Sequence, residues 1–185
     1  MIRLAVYETA KVFPLKDGLT VKIREATPKD LADIWRIFRS VIEEKKWIPV
    51  LFVEEGEFER LSWFSHHKSV GSVILVAQMG DKIVGHCLVE RDDWDAAGHV
   101  GNLGLMVIAE QRGKGIGDAL VTEALVRARE KGFEKICLST FKANLNAIRL
   151  YEKHKFQIIG VRRRQFKMEG EYKDEVLMEL MLDSQ

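Results

Sequence analysis

An apolar run that stops at a glycine-rich turn constrains this chain more than any other feature. Leu103-Gly104-Leu105-Met106-Val107-Ile108 leads through Ala109-Glu110-Gln111 to Arg112-Gly113-Lys114-Gly115-Ile116-Gly117. The run reads as a strand. The turn opens an amphipathic helix with Ile116, Leu120, Ala124 and Ala128 at i+4 spacing, ending at Lys131-Gly132 with a basic last turn and a C-cap glycine. A turn of this kind aims several backbone N–H groups one way, at the positive end of a helix dipole. That makes an anion site, suited above all to a pyrophosphate.

The chain has 185 residues, enough for one domain with a substantial core. Residues 1–18 read as an extension with a short strand at Ile2–Tyr7 and a turn at Asp17-Gly18, and residues 19–185 as the domain itself. Leu19–Arg24 alternates like a half-buried strand. Thr27-Pro28-Lys29-Asp30 is a helix start, with Thr27 as N-cap and Asp30 at the capping-box position. That helix is expected to run to about Lys46, and a second to cover Phe58–His66. Ser72–Gln78 and Ile83–Glu90 form a hairpin about Met79–Lys82, and His99–Ile108 is the next strand. After the glycine turn and its helix come a strand at Lys135–Ser139, a helix at Asn144–Lys153, and an antiparallel pair, Gln157–Met168 and Glu175–Leu182. The fold class is mixed α/β, with a mostly antiparallel twisted sheet and helices on both faces.

The glycine turn fits one phosphate loop better than its rivals. A magnesium-binding G-x-x-x-x-G-K-[ST] loop needs a hydroxyl after the lysine, and here Gly115 follows Lys114. A dinucleotide G-x-G-x-x-G loop needs glycine where Asp118 stands, in a βαβ setting the preceding meander does not offer. The pattern [RQ]-x-x-G-x-[GA] matches Arg112–Gly117 throughout. Asn144-x-x-Ala147-x-x-Leu150-Tyr151-x-x-x-x-Phe156 follows about thirty residues on. On these two motifs the chain resembles the GCN5-related N-acetyltransferase family, from Leu19 to Leu182; the segment His99–Val107 and the tail Gly170–Met178 also look like the branch with small-molecule and ribosomal-protein N-acetyltransferases. It departs at Lys155, where the family usually has glycine; a lysine makes a left-handed residue costlier there.

The resemblance implies acetyl-coenzyme A as co-substrate. Backbone N–H groups from Arg112 to Asp118 (Arg112, Gly113, Lys114, Gly115, Ile116, Gly117, Asp118) would face its pyrophosphate, with added charge from Arg112 and Lys114. Main-chain groups of Leu105, Met106 and Val107 would pair with the pantetheine arm, and the Val107 N–H or its neighbour would polarise the thioester carbonyl. Tyr151 falls where the family places its general acid, and otherwise reads as a core aromatic beside Leu150. Asn144, near Ala147, would hydrogen-bond the arm or cap its helix; Asn146 is a weaker candidate for either role.

A base must take a proton from the amine. His99, an even number of residues before Val107, and Glu90, at the end of the neighbouring strand, are the candidates, ahead of Asp92 and Asp93. Each also reads as an ordinary strand-end polar residue. Acceptor recognition is expected from Glu43, Glu44, Trp47, Trp63 and Tyr172. The acidic run Glu54–Glu59 and the basic run Arg162-Arg163-Arg164 read first as solvated charge.

The expected activity is acetyl transfer straight to an amine, either a small molecule such as a polyamine or amino-acid analogue, or a protein N-terminus. A non-catalytic acyl-coenzyme A sensor of the same fold is the alternative. A net charge of +1 makes no case for nucleic acid or membrane as the main partner. Cys87 and Cys137 sit in apolar runs as reduced thiols, with no metal-ligand spacing, so no metal is expected. A cytoplasmic chain is expected. The resemblance allows a homodimer, since homodimers are common in that family.

Overall fold

The computed structural model describes residues 10–53 and 56–182. The strand expected at Ile2–Tyr7 and the start of the acidic run, Glu54-Glu55, lie outside the described residues.

Among the described residues, eight strands form one sheet in the order β1-β2-β3-β4-β5-β6-β8-β7. They are β1 (Lys11–Pro14), β2 (Thr20–Glu25), β3 (Val73–Met79), β4 (Lys82–Arg91), β5 (Val100–Val107), β6 (Lys135–Phe141), β7 (Gln157–Met168) and β8 (Glu171–Met181). The helices are α1 (Leu31–Glu43), α2 (Glu57–Ser69), α3 (Ile116–Glu130) and α4 (Leu145–Lys153). Alternation along each strand separates two cores. Ile74, Val76 and Ile83 pack with Ile34, Trp35, Ile37 and Phe64 of α1 and α2. Val73, Leu75, Cys87 and Leu103 pack on the other face with Leu120, Ala124 and Tyr151 of α3 and α4. The mixed α/β reading, with helices on both faces, therefore holds.

Element ends differ from the sequence reading where local polar chemistry decides them. The Thr27–Asp30 start is tight. The Asp30 carboxylate accepts the Thr27 N–H (2.8 Å) and hydroxyl (2.9 Å), and both arms of the Arg24 guanidinium. Burial pushes the Asp30 carboxyl up, but these hydrogen bonds outweigh it and hold it below its ordinary value. Helix α1 stops at Glu43 rather than near Lys46, because Lys45 turns left-handed at φ 50°. Helix α2 runs longer than expected at both ends, from Gly56 as N-cap to a basic last turn of His66, His67 and Lys68, which suits the C-terminal dipole. The β1 strand has no strong sequence signal; its proline is tolerated because β1 is an edge.

One pairing shapes the site. β5 and β6 are parallel, and every other neighbouring pair is antiparallel. The parallel ladder covers only Val100↔Lys135, Gly101↔Ile136 and Asn102↔Cys137. Beyond it β5 continues to Val107 on β4, and β6 continues to Phe141 on β8. The sheet therefore splits in its middle, and the split opens toward the glycine turn.

Candidate active site

The split exposes a strand edge inside the sheet. The Ile108 N–H donates to the Val84 carbonyl, and the Asp92 N–H to the Val100 carbonyl. In an antiparallel ladder this phase turns the backbone groups of Asn102, Gly104 and Met106 toward β4 and those of Leu103, Leu105 and Val107 toward β6. Past Cys137, β6 is no longer there to meet them. The N–H and C=O of Leu105 and the N–H of Val107 thus face the gap, and an extended amide-bearing ligand can pair with them as an added strand. Met106, expected to share that role through its main chain, has its backbone groups in the β4 ladder instead. Its side chain packs on the α1 side.

The glycine turn stands at the open end of the gap. Gly113 (φ 78°) and Gly115 (φ 106°) are left-handed, which keeps the turn tight at the N-cap of α3. Among the described residues, no backbone carbonyl takes the N–H groups of Gly113, Lys114 or Gly115. Those of Ile116, Gly117 and Asp118 lie in the first turn of α3, where a helix leaves N–H groups unpaired. Together they form a backbone anion nest. The side chains expected to add charge are engaged elsewhere. Arg112 donates to the Val107 carbonyl (2.8 Å) and grips both oxygens of Glu44, over the Trp47 ring. The Lys114 ammonium bonds Gln111 and stands 3.4 Å from Asp17. The Asp118 carboxylate pairs with Lys153 and His154.

Arg112 is thus a clamp that joins the end of β5 to the end of α1. A lysine cannot reproduce its three-way fork. Arg112→Lys is expected to cost about 1–3 kcal/mol of stability, read as a lowered Tm. Glu44→Gln should cost a similar amount, and the double variant little more than either alone. Full additivity of the two losses would show that the pair does not act as one unit.

Tyr151 lies on α4 inside the α3-side core, in edge contact with Phe156 at 5.7 Å. Burial holds its phenol well above the ordinary tyrosine value, with Cys87 nearby acting the same way, so it stays protonated. The Cys87 thiol is itself pushed up to about 12 by burial. Asn144 caps α4, its side chain accepting the Ala147 N–H at 3.3 Å. Lys155 occupies the family's glycine position at φ 71°, a conformation that costs a non-glycine residue about 1–2 kcal/mol.

On the α1 face, Leu88 stands opposite Gly104 and Glu90 opposite Asn102. Gly104 is exposed although it lies in a central strand, and a Cβ built there meets nothing within 4 Å. Glu90 is one diagonal away, roughly 7–8 Å. Burial raises its carboxyl and the Asp93 charge adds to that, against His66. His67, which the sequence reading did not single out, is buried with Nδ1 3.7 Å from Glu90 Oε1. His86, also not singled out, is buried beside Phe38 with both ring nitrogens unpaired among the described residues; burial pushes it down to about 4, so it is neutral. Neither carries a sequence signal, since a histidine in an apolar strand or a helix end looks the same with or without a role.

His99 is not brought to the gap. It lies in an exposed turn before β5, beyond the closed end of the split, where its carbonyl accepts from Glu134 and Lys135. Eight residues of strand, ~26 Å, separate it from Val107. Of the acceptor candidates, Glu44 and Trp47 belong to the Arg112 clamp, Trp63 packs on Trp35 and His67, and Tyr172 lines a cavity with Phe141. Arg162 pairs with Glu175 and Arg164 stacks on Tyr172. Among the described residues no group of three His, Cys, Asp or Glu side chains is arranged to hold a metal ion.

Residues 32–156 match the family model described as acetyltransferase (GNAT) family. The L-amino acid N-acetyltransferase AaaT of Escherichia coli (strain K12) is 29% identical over 105 residues, 56% of this chain and 65% of that protein. The match therefore spans slightly less than two thirds of that relative's length. A GNAT-family acetyltransferase from Streptococcus pneumoniae has a TM-score of 0.81 at 27% identity, covering 88% of this chain and 99% of that one. The yncA protein of Salmonella typhimurium, solved with its cofactor acetyl-CoA, has a TM-score of 0.84 at 22% identity, covering 89% and 95%. A likeness at that identity speaks for the fold alone.

Proposed function

Because this chain belongs to the GNAT family of acetyltransferases, we propose that it transfers the acetyl group of acetyl-coenzyme A directly to an amine. The observation that carries the reading is the joined pair of backbone sites. Among the described residues, an edge of unpaired strand groups at Leu105 and Val107 leads to a nest of unpaired N–H groups at Gly113–Asp118. One ligand with an amide arm ending in a pyrophosphate satisfies both.

The residues divide the chemistry between them. The Val107 N–H, or that of Leu105, polarises the thioester carbonyl. The amine nitrogen forms the new C–N bond as the C–S bond breaks. Glu90, or a water it holds, takes the proton the amine loses, Tyr151 steadies the leaving thiolate with a hydrogen bond, and the thiolate takes its proton from water as it departs. The acceptor is a small-molecule amine or a peptide N-terminus.

Titration of the protein with acetyl-coenzyme A, followed by a thiol-release screen over amines and N-terminal peptides, tests the proposal. Binding in the micromolar range and thiol release with at least one amine are expected. Binding without release from any amine would favour an acyl-coenzyme A-binding module, and absence of binding would remove the donor.

Glu90 gives the reading a pH signature. Its carboxyl must be ionised to accept a proton, and its value is raised, so kcat should fall on the acid side at a pH above the usual carboxylate range. Asp93→Asn removes a charge that raises Glu90 and should move this limb to lower pH. Glu90→Gln should abolish the limb with a loss of roughly 100-fold in kcat. An unchanged kcat profile in both variants rules Glu90 out as the base.

A further inference from the structure

A cavity of about 540 Å³ lies beside the mouth of the split, a size suited to a small molecule. Its floor is Phe141, the last residue of β6, on the face opposite the Leu138 core and hence toward α1. One wall is Lys142, just before the start of α4. The other is Lys45-Lys46, which follows the Arg112 partner Glu44. The β7–β8 hairpin closes the roof, with Tyr172 lining the cavity and Glu169 at its tip holding Lys45 at 2.6 Å.

The lining is strongly one-signed, with four lysines against a single aspartate, Asp174. Two of those lysines are spoken for: Lys45 by Glu169, and Lys173 by Glu171. The charge in excess of these pairs sits on Lys46, stacked over Trp47; Lys142 is itself paired with Asp174 at 3.8 Å, an exposed contact for which a ligand carboxylate can compete. The backs of the aromatic wall are also cationic, with Arg164 and Lys167 over the Tyr172 ring at 5.3 and 5.5 Å. Cationic side chains outnumber carboxylates around the cavity, which disfavours a cation there.

Position along the strands ties the cavity to the chemistry. Carrying the β5–β6 register forward from Asn102↔Cys137 sets Phe141 level with Met106, two residues past Gly104. That is ~7 Å along the strand. A second cleft, about 410 Å³ between Arg36, Glu43 and Ile108–Glu110, is more acidic. Its lining includes Glu44, already held by Arg112, and Arg36, which donates to the Ile83 carbonyl.

We propose that the Lys46–Lys142 cavity binds the carboxylate of a compact amino-acid-type acceptor, whose amine reaches the open floor at Gly104. The proposal rests on the acetyl-transfer reading above, narrows the acceptor to an anionic amine, and argues against polyamines. Phe141 and Tyr172 supply the apolar walls for the acceptor's side chain.

The test uses the full chain and matched probes: the common L-amino acids, their α-amides, and spermidine. Amidation removes the carboxylate and leaves more of the amine neutral, so a preference for the free acid cannot come from amine ionisation. The expected result is a kcat/KM at least tenfold higher for the best free acids than for their amides or spermidine. Lys142→Glu and Lys46→Glu should each raise the KM of those acids tenfold or more while leaving the Kd of acetyl-coenzyme A within twofold. Preference for amides or spermidine overturns the proposal. So does a charge reversal that weakens acetyl-coenzyme A alone, which would give the cavity to the donor's phosphates. If acetyl-coenzyme A binds but no amine releases thiol, the transfer reading has failed and the cavity is judged separately. Calorimetric binding of the free acids, lost in Lys142→Glu, would then uphold it; no such binding would end it.

Discussion

Gly104→Val is expected to raise the Tm by about 2–4 °C while lowering kcat/KM by at least about 100-fold. Gly104 lies in the middle of β5, hydrogen-bonded to β4 and opposite Leu88. A glycine there costs about 0.5–1 kcal/mol relative to alanine, and a β-branched side chain facing a leucine is a favourable cross-strand pair. A Cβ at this position meets nothing within 4 Å, so the substitution is not strained. On stability alone the position should not be glycine. The proposed reaction supplies the reason. The floor above Gly104 is where the acetyl carbon and the acceptor nitrogen must meet, one diagonal from Glu90. Two methyl groups would fill that space, and a 100-fold loss corresponds to only about 2.7 kcal/mol of barrier. Acetyl-coenzyme A should still bind within a few-fold, because its arm uses the other edge of β5. Calorimetric melting, thiol release and donor titration separate the three effects. A variant that is more stable and retains kcat/KM within threefold would show that the open floor has no part in catalysis.

The elements at the centre of the chain were legible because each carries its own punctuation. The strand, glycine turn and helix from Leu103 to Lys131 follow from apolar periodicity and from glycines that the structure holds at positive φ. Asn144 as a cap and Lys155 as a left-handed residue follow from the same local rules. What the chain does not display is where long side chains go once the fold is made. Arg112 sits in the phosphate-loop motif, yet its guanidinium serves Glu44, 68 residues away in sequence. Parity put His99 on the face of Val107, but alternation says nothing about distance along a strand, and the parallel ladder seals the end at which His99 lies. The split was invisible for a related reason. It arises because β6 stays paired with β8 along its whole length while its other edge parts from β5 beyond Cys137, a tertiary divergence with no local signature. The basic cavity is likewise assembled from three separated segments, none of them notable alone.

Tyr151→Phe is the variant that most directly separates an enzyme from a binding module, and it is expected to lower kcat by about 100-fold with KM and Tm little changed. The ring is buried against Phe156, and a phenylalanine keeps that contact while removing only the hydroxyl. Loss of a hydroxyl from an apolar setting costs little when no partner is stranded, so a structural role predicts near-silence in both stability and rate. The catalytic role predicts silence in stability only. Burial also fixes how the phenol can act. It raises the value of the phenol far enough that full proton transfer to a thiolate is uphill, and the useful event is a hydrogen bond that strengthens as charge grows on sulfur. The same shift decides the pH dependence. Because the phenol ionises only above its raised value, Tyr151 stays a donor through the alkaline range, and the wild-type kcat should show no fall up to about pH 10 on its account. The neighbouring Cys87 thiol, neutral to about 12, adds no competing charge. The loss in Tyr151→Phe should therefore be constant across pH rather than confined to one limb. A kcat within threefold of wild type at every pH would mean that the leaving sulfur draws its hydrogen bond from another group, and that Tyr151 serves the core alone.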